Sequence, residues 1–369
     1  MSKQHNIRII ISGGGTGGHI FPAISIANAL KEIDSTIEIL FVGASDRMEM
    51  ERVPAAGYKI IGLPISGFQR RLTLKNLTFF AKLFRSLHKA SAIIKDFKPD
   101  VAVGVGGYAS GALLYMAAKR KVPALIQEQN SYPGITNKLL KNKAEKICVA
   151  YSGMERFFPQ EKIILTGNPV RQDILQIAGK KEEALDYFGL KKDKKVLLIL
   201  GGSLGARTIN QSLIKGLAGL SSENIEVIWQ TGKIYINEVK AALEATPAAN
   251  IHAMDFISRM DLAYAAADVI ISRAGAGTIS ELCLVGKACI LVPSPNVAEY
   301  HQTMNALALV DKGAAILVKD KDAETDLIGE ALKLIADPQK QKELSVNIER
   351  MALKDSAKII ADEVLKLVK

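Results

Sequence analysis

Long apolar runs are missing from this sequence: none approaches the roughly 20 residues that a membrane-spanning helix needs. Cysteine is scarce. Cys148, Cys283 and Cys289 show neither disulfide-framework nor zinc spacing, so they are expected as reduced core residues of a cytoplasmic protein. The opening stretch MSKQHNIRIIIS is a short polar lead into a strand, with no cleavage site of a signal peptide. No pair of carboxylates, Ser/His/Asp set or Cys/His cluster has the context of hydrolase or zinc chemistry. The single D-x-D, Asp320-Lys321-Asp322, lies in the charged run KDKDAE and reads as solvated surface, so no protein-bound metal or other cofactor is expected. A net charge of +10 raises nucleic acid as a partner, but no aromatic-interleaved basic strand or reading helix supports it.

What is present is an ordinary globular composition, 48% apolar and 23% charged, in a chain whose 369 residues predict two domains. The charge is lopsided. Through Asn168 there are 23 Lys+Arg against 12 Asp+Glu, while the remainder has 25 against 26, which points to an anionic surface or partner for the first half.

Apolar runs alternate with helical patterns, as in parallel sheets flanked by helices. Strands are expected at Ile7–Ile11, Ile37–Val42, Asp100–Gly104, Ala124–Gln127 and Lys146–Ala150, and again at Val196–Leu200, Ile225–Gln230, Val269–Ile271, Ala288–Val292 and Ala315–Val318. The fold class is α/β, two Rossmann-like doubly wound parallel sheets facing a cleft, with ligands at the carboxyl ends of the strands. Thr166-Gly167-Asn168-Pro169 is the expected linker, giving domains 1–168 and 169–342, and a helical stretch 343–369 that returns toward the first domain.

The most informative stretch is Ala267–Glu281. A short apolar run ends at Ile271, the chain turns through Ser272-Arg273-Ala274-Gly275-Ala276-Gly277, and a helix is expected from Thr278 to Leu284. The first N–H groups of a helix lack internal partners, its dipole favours anions, and glycine lets phosphate approach the backbone. Glu281, about one turn into the helix, is suited to accept from a ribose diol; the plain alternative is a helix-stabilising acid. Gly201-Gly202-Ser203-Leu204-Gly205-Ala206-Arg207 repeats the device, as do Ser12 to His19 and Val103 to Gly111 in the first half. Gly13, Gly15 and Gly18 satisfy G-x-G-x-x-G, yet neither Glu38 nor Asp46 supplies the acid that a dinucleotide site wants after the second strand. His19 falls near the start of a helix expected from about Pro22, where the positive helix end keeps an imidazole neutral and fit to act as a base. The polar run Gln127-Glu128-Gln129-Asn130 ends a strand where ligand groups gather.

Residues 67 to 98 carry much of the basic excess. Leu77, Phe80, Phe84 and Leu87 recur at helical spacing beside Lys82, Arg85 and Lys89, after Arg70, Arg71 and Lys75. Such a ridge suits either an interfacial helix on an anionic leaflet or a core stripe under a basic face.

Six motifs in this order resemble the family of peptidoglycan glycosyltransferases that add N-acetylglucosamine to lipid I to give lipid II. They are Gly14 to His19, Gly104 to Tyr108, Glu128 to Asn130, Gly167 to Arg171, Gly201 to Arg207 and Ser272 to Glu281. The resemblance implies the GT-B architecture and inverting transfer from UDP-N-acetylglucosamine without a D-x-D-bound metal. It places the acceptor in the first domain and the donor mainly in the second. Ala276, Gly277, Thr278, Ile279, Ser280 and Glu281 would hold diphosphate and ribose, Ser203 and Arg171 the diphosphate, Ile257 the uracil through its backbone, and Gln302 and Asn130 the sugar. Thr16, Gly17 and Gly18 would complete the donor site from the first domain as the cleft closes. Gly14, Gly15, Gly106, Gly107 and Tyr108 would face the acceptor diphosphate, with His19 as base and Glu128 as the alternate. A peripheral place on the cytoplasmic face of the bacterial plasma (inner) membrane is implied, on the ridge at 70–89, in the company of other cell-wall synthesis proteins.

Overall fold

The structure, a computed structural model, describes residues 6–65, 75–170, 172–202, 204–296 and 300–368. Two compact units divide the chain: Met1–Val170 with Lys354–Lys369, and Arg171–Leu353.

The first unit runs β1 (Arg8–Ser12), α1 (Gly17–Ile33), β2 (Glu38–Ala44), α2 (Glu49–Ala55), β3 (Lys59–Leu63), α3 (Lys75–Phe97), β4 (Val101–Gly104), α4 (Tyr108–Lys119), β5 (Ala124–Glu128), α5 (Ile135–Leu140), β6 (Lys146–Val149) and β7 (Ile163–Leu165). Its seven strands are parallel in the order β3-β2-β1-β4-β5-β6-β7. β1 shows why the runs are continuously apolar: Ile9, Ile10 and Ile11 are all fully buried, because helices cover both faces. Alternation sorts them, Ile10 into the core with α3 and α4, Ile9 and Ile11 into the core with α1.

The second unit runs α6 (Lys181–Phe188), β8 (Lys195–Leu200), α7 (Arg207–Lys215), α8 (Leu217–Ser222), β9 (Ile225–Gln230), α9 (Ile236–Ala245), β10 (Ile251–Met254), α10 (Met260–Ala266), β11 (Val269–Ser272), α11 (Ala276–Val285), β12 (Ala288–Leu291), α12 (His301–Val310), β13 (Ile316–Leu317), α13 (Ala323–Ala336) and α14 (Pro338–Glu349). Its sheet is parallel in the order β10-β9-β8-β11-β12-β13. The three strands not anticipated, β3, β7 and β10, are all edge strands. Edges are short and half-exposed, so they lack the long apolar run that betrays a central strand.

The stretch from Glu343 is two helices rather than one. α14 ends at Glu349 within the second unit, and α15 (Ser356–Leu365) belongs to the first. α15 lays Ala357, Ile360, Ala361 and Val364 into the core beneath α1, and Glu363 pairs with Lys146 at the start of β6. All three cysteines are buried, and burial pushes the thiols of Cys148 and Cys283 up to about 12. No helix among the described residues is long and apolar enough to cross a membrane.

Candidate active site

Each sheet changes its direction of winding at a defined point. β1 lies beside β4, and β8 beside β11, although intervening strands separate them in sequence. Crevices open at such switch points. All four glycine loops follow these four strands, so each unit gathers two loops at one place.

In the first unit the loops touch. Gly106 and Gly107 have φ of +102° and +90°. A Cβ at Gly107 would lie 2.6 Å from Gly14 O, and one at Gly106 2.9 Å from His19 Nε2, so only glycine is admitted on either count. α1 begins at Gly17, earlier than expected, with Thr16 as its N-cap and Pro22 inside it. His19 therefore sits in the first helical turn, its Nδ1 3.0 Å from Gly14 O. A carbonyl only accepts, so Nδ1 carries the hydrogen and the lone pair of the neutral ring belongs to Nε2, the atom packed against Gly106.

Beneath the loop is a residue the sequence reading passed over. Glu49, fully buried at the head of α2, accepts from Gly15 N at 3.0 Å and from Ala44 N at 2.9 Å. A Cβ on Gly14 would come within 2.2 Å of its Oε1, and one on Gly43 within 2.6 Å of its Cγ. The acid sought after the second strand exists, but it faces down into the loop's underside. This corrects the expectation for Gly15: its N–H is committed to Glu49 and is not offered to a diphosphate. Tyr108, 52% exposed at the head of α4, remains beside Gly106 and Gly107.

The polar run after β5 forms a buried amide network. Gln127 Nε2 donates to Asn168 Oδ1 at 2.9 Å, and Asn168 Nδ2 to Gln129 O at 3.0 Å. Gln129 Nε2 donates to Val105 O at 2.7 Å, which fastens the second glycine loop. The Glu128 carboxylate, 1% exposed, accepts from Asn130 N and Nδ2, from Gly134 N and from Asn137 Nδ2. Four donors occupy the four lone-pair positions of a carboxylate, so Glu128 organises residues 128–137 and is poorly placed to take a further proton. Asn137 and Asn168 were not singled out from the sequence as side-chain partners; their signal lies in the density of amide residues around the end of β5.

In the second unit, α11 begins at Ala276, two residues earlier than expected, with Gly275, which has no side chain of its own, as N-cap. Ala276, Gly277 and Thr278 thus head a helix, with no atom within 4 Å of where a Cβ on Gly277 would stand. Ile279 departs from the expectation: its side chain is buried and its N–H is already bonded to Gly275 O at 2.9 Å. Ser280 Oγ donates back to Ala276 O at 3.1 Å. Glu281 is half-buried and steered by Tyr264, whose fully buried ring places its hydroxyl 2.8 Å from Glu281 Oε2. Ile257 N donates to Gln230 Oε1 at 3.3 Å, and Gln302 Oε1 accepts from Ser294 N at 2.8 Å, so both expected contact residues are pinned. Arg171 and Ser203 lie outside the described residues.

Asp320 overturns its reading as solvated surface. It is paired with Arg273, accepts from Thr208 Oγ1 at 3.0 Å, and so ties the loop after β11 to the head of α7. Arg273 Nη1 also donates to Val292 O at 3.0 Å.

On α3 the apolar residues split. Leu87 packs against the core with Leu83, Ala90 and Ile94, which corrects its place in an outward ridge. Phe80 and Phe84 are 65% and 75% exposed, one turn apart, with Phe79 stacked edge-on against Phe80. Arg85 and Lys89 are exposed, Lys82 half-buried, and Lys89 Nζ reaches Gly62 O at 2.7 Å. The side chains of Leu77 and Lys75, and residues Arg70 and Arg71, lie outside the described part.

Comparison with known proteins agrees with this geometry. Residues 9–149 match the glycosyltransferase family 28 N-terminal domain and residues 196–360 its C-terminal domain. A protein of Parabacteroides distasonis named UDP-N-acetylglucosamine–N-acetylmuramyl-(pentapeptide) pyrophosphoryl-undecaprenol N-acetylglucosamine transferase is 60% identical over 98% of both chains. One of the same name from Bacteroides thetaiotaomicron is 61% identical, covering 99% of this chain and 98% of its own. The crystal structure of Acinetobacter baumannii MurG superposes with a TM-score of 0.80 at 28% identity, covering 98% of this chain and 99% of that one. Matched over both halves, and so similar to these transferases over nearly its whole length, the chain belongs to glycosyltransferase family 28.

Proposed function

We propose that this enzyme transfers N-acetylglucosamine from UDP-N-acetylglucosamine to the muramyl sugar of undecaprenyl-diphospho-N-acetylmuramoyl-pentapeptide (lipid I), with inversion, forming the β-1,4 disaccharide of lipid II. The observation that carries the reading is the division of labour. One unit offers a glycine-led helix head with a steered carboxylate, and the other a histidine among glycines.

The donor is assigned to the second unit. The first amides of α11, at Ala276, Gly277 and Thr278, face the diphosphate, and Glu281 accepts from the ribose diol. Ile257 offers uracil its carbonyl, since its N–H is engaged by Gln230. Gln302 and Asn130 are assigned to the sugar, Arg171 and Ser203 to the diphosphate. In the displacement the acceptor oxygen forms its bond to the anomeric carbon as the bond from that carbon to the β-phosphate oxygen breaks. The hydroxyl proton passes to His19 Nε2, and the electron pair leaves on UDP, where helix-end amides meet the developing charge. Glu128 is assigned to positioning, because its lone pairs are occupied. The acceptor diphosphate is assigned to Gly106, Gly107 and Tyr108. No protein-bound metal enters this scheme; the first aspartate of the D-x-D, Asp320, is already engaged by Arg273 and Thr208. The exposed Phe80–Phe84 pair, set among basic residues, supports peripheral docking to the anionic cytoplasmic face of the plasma membrane.

The test is transfer of radiolabel from UDP-N-acetylglucosamine to a short-chain lipid I analogue in the presence of chelator. Labelled disaccharide is the expected product. Tight donor binding without transfer would overturn the acceptor assignment and leave the nucleotide site standing.

A further inference from the structure

The Gly14–Gly15 peptide unit is engaged at both ends. Its N–H, on Gly15, donates to Glu49 Oε2 at 3.0 Å, and its C=O, on Gly14, accepts from His19 Nδ1 at 3.0 Å. The N–H and C=O of a trans peptide point in opposite directions, so carboxylate, peptide and imidazole follow one another in a single hydrogen-bonded chain. The carboxylate is fully buried, where its field is little screened by water. Its other oxygen is anchored by Ala44 N, and there is no room for a Cβ at Gly14 or Gly43 beside it.

We propose that Glu49 is a positioning residue that tunes His19 through the intervening peptide, and the proposal rests on the reading of His19 as the base. A negative charge at the N–H end of a peptide draws electron density onto its carbonyl oxygen, and hydrogen bonds in such a chain strengthen one another. Gly14 O becomes a better acceptor for Nδ1–H, which fixes the tautomer and stabilises the imidazolium formed when Nε2 takes the proton. Glu49 thereby offsets the head of α1, whose dipole disfavours that cation. The arrangement does the work of a carboxylate–histidine pair with a peptide inserted between the partners.

The other charged groups around the loop are differently placed. Asp46, Arg47, Glu51 and Arg52, flanking Glu49, are exposed; Glu128 is held by Asn130, Gly134 and Asn137; Tyr108 heads α4; and Lys358 and Asp362 on α15, which packs along α1, are exposed.

The experiment is NMR titration of the full-length enzyme carrying isotope-labelled histidine. The chain has five histidines, and His19→Ala assigns the signal by its loss. In Glu49→Gln the pKa of His19 is expected to fall by about one unit, by loss of a nearby opposite charge, while His88, His252 and His301 titrate as before. The acid limb of the kcat/KM profile moves to lower pH by the same amount, the high-pH plateau falls, and the KM for UDP-N-acetylglucosamine holds. A His19 titration unchanged in folded Glu49→Gln overturns the proposal. If that variant does not fold, the wild-type Gly15 amide proton decides: it is expected to shift along the His19 titration curve, and indifference to it overturns the relay. Full turnover in His19→Ala would instead remove the base assignment, a separate failure that leaves these titrations as they are.

Discussion

The two units use the same strand–glycine–helix device, yet what lies against their loops differs. In the first, a buried carboxylate, Glu49, faces the underside of the Gly14–Gly15 turn, and a second, Glu128, braces the adjoining polar loop. In the second, the loop after β11 carries a cation, Arg273, neutralised by Asp320, and α11 begins behind a glycine N-cap. A negative charge under a loop favours a group that becomes positive, as a histidine taking a proton does. A helix head favours a group that is negative throughout. Buried charge, rather than the glycine pattern, separates the unit assigned the proton from the unit assigned the donor.

The strongest way to break this comparison is to remove the residue assigned as base. His19→Ala is expected to lower turnover by about a hundredfold or more while the affinity for UDP, measured by calorimetry, stays at the wild-type value. Loss of UDP affinity in parallel would mean that the two units do not divide the work.

The complementary change falls in the second unit. Glu281→Ala is expected to raise the KM for UDP-N-acetylglucosamine by roughly ten- to a hundredfold, the loss of a charge-assisted hydrogen bond of about 1.5–3 kcal/mol. Tyr264→Phe keeps the carboxylate but releases its orientation, so an increase of about two- to tenfold follows, the range of a neutral hydrogen bond. Steady-state kinetics at saturating acceptor checks both. Equal effects of the two variants would show that Tyr264 matters to the fold rather than to Glu281, a distinction that thermal unfolding of Tyr264→Phe also reads.

Much of this was legible in the sequence, and the exceptions share a cause. The central strands announce themselves because burial on both faces demands unbroken apolar runs such as Ile9-Ile10-Ile11. The glycine loops announce themselves because no other residue fits at Gly106 and Gly107. Glu49 and Asp320 did not, since a charged residue in a polar stretch looks like solvated surface whether its carboxylate faces water or folds back under a loop. Leu87 was misassigned for the converse reason. Helical spacing puts Phe80, Phe84 and Leu87 on neighbouring positions, but only packing reveals the boundary along the helix, with Leu83 and Leu87 against the core and Phe80 and Phe84 exposed.

That boundary on α3 sets the last contrast between the units. The first half of the chain holds the whole excess of positive charge, and it also holds the exposed Phe80–Phe84 pair. Burying a phenylalanine is worth about 1.5–3 kcal/mol when complete, and a ring that only dips into a leaflet gains a fraction of that. Phe80→Ser with Phe84→Ser is therefore expected to weaken binding to anionic vesicles by about tenfold, with turnover on a soluble short-chain acceptor unchanged. Leu87→Ser should instead lower the melting temperature, because Leu87 packs against the core. Vesicle affinity unmoved by the double phenylalanine change, or a loss of affinity equal in neutral vesicles, would take the membrane away from α3 and leave the charge asymmetry between the units without its partner.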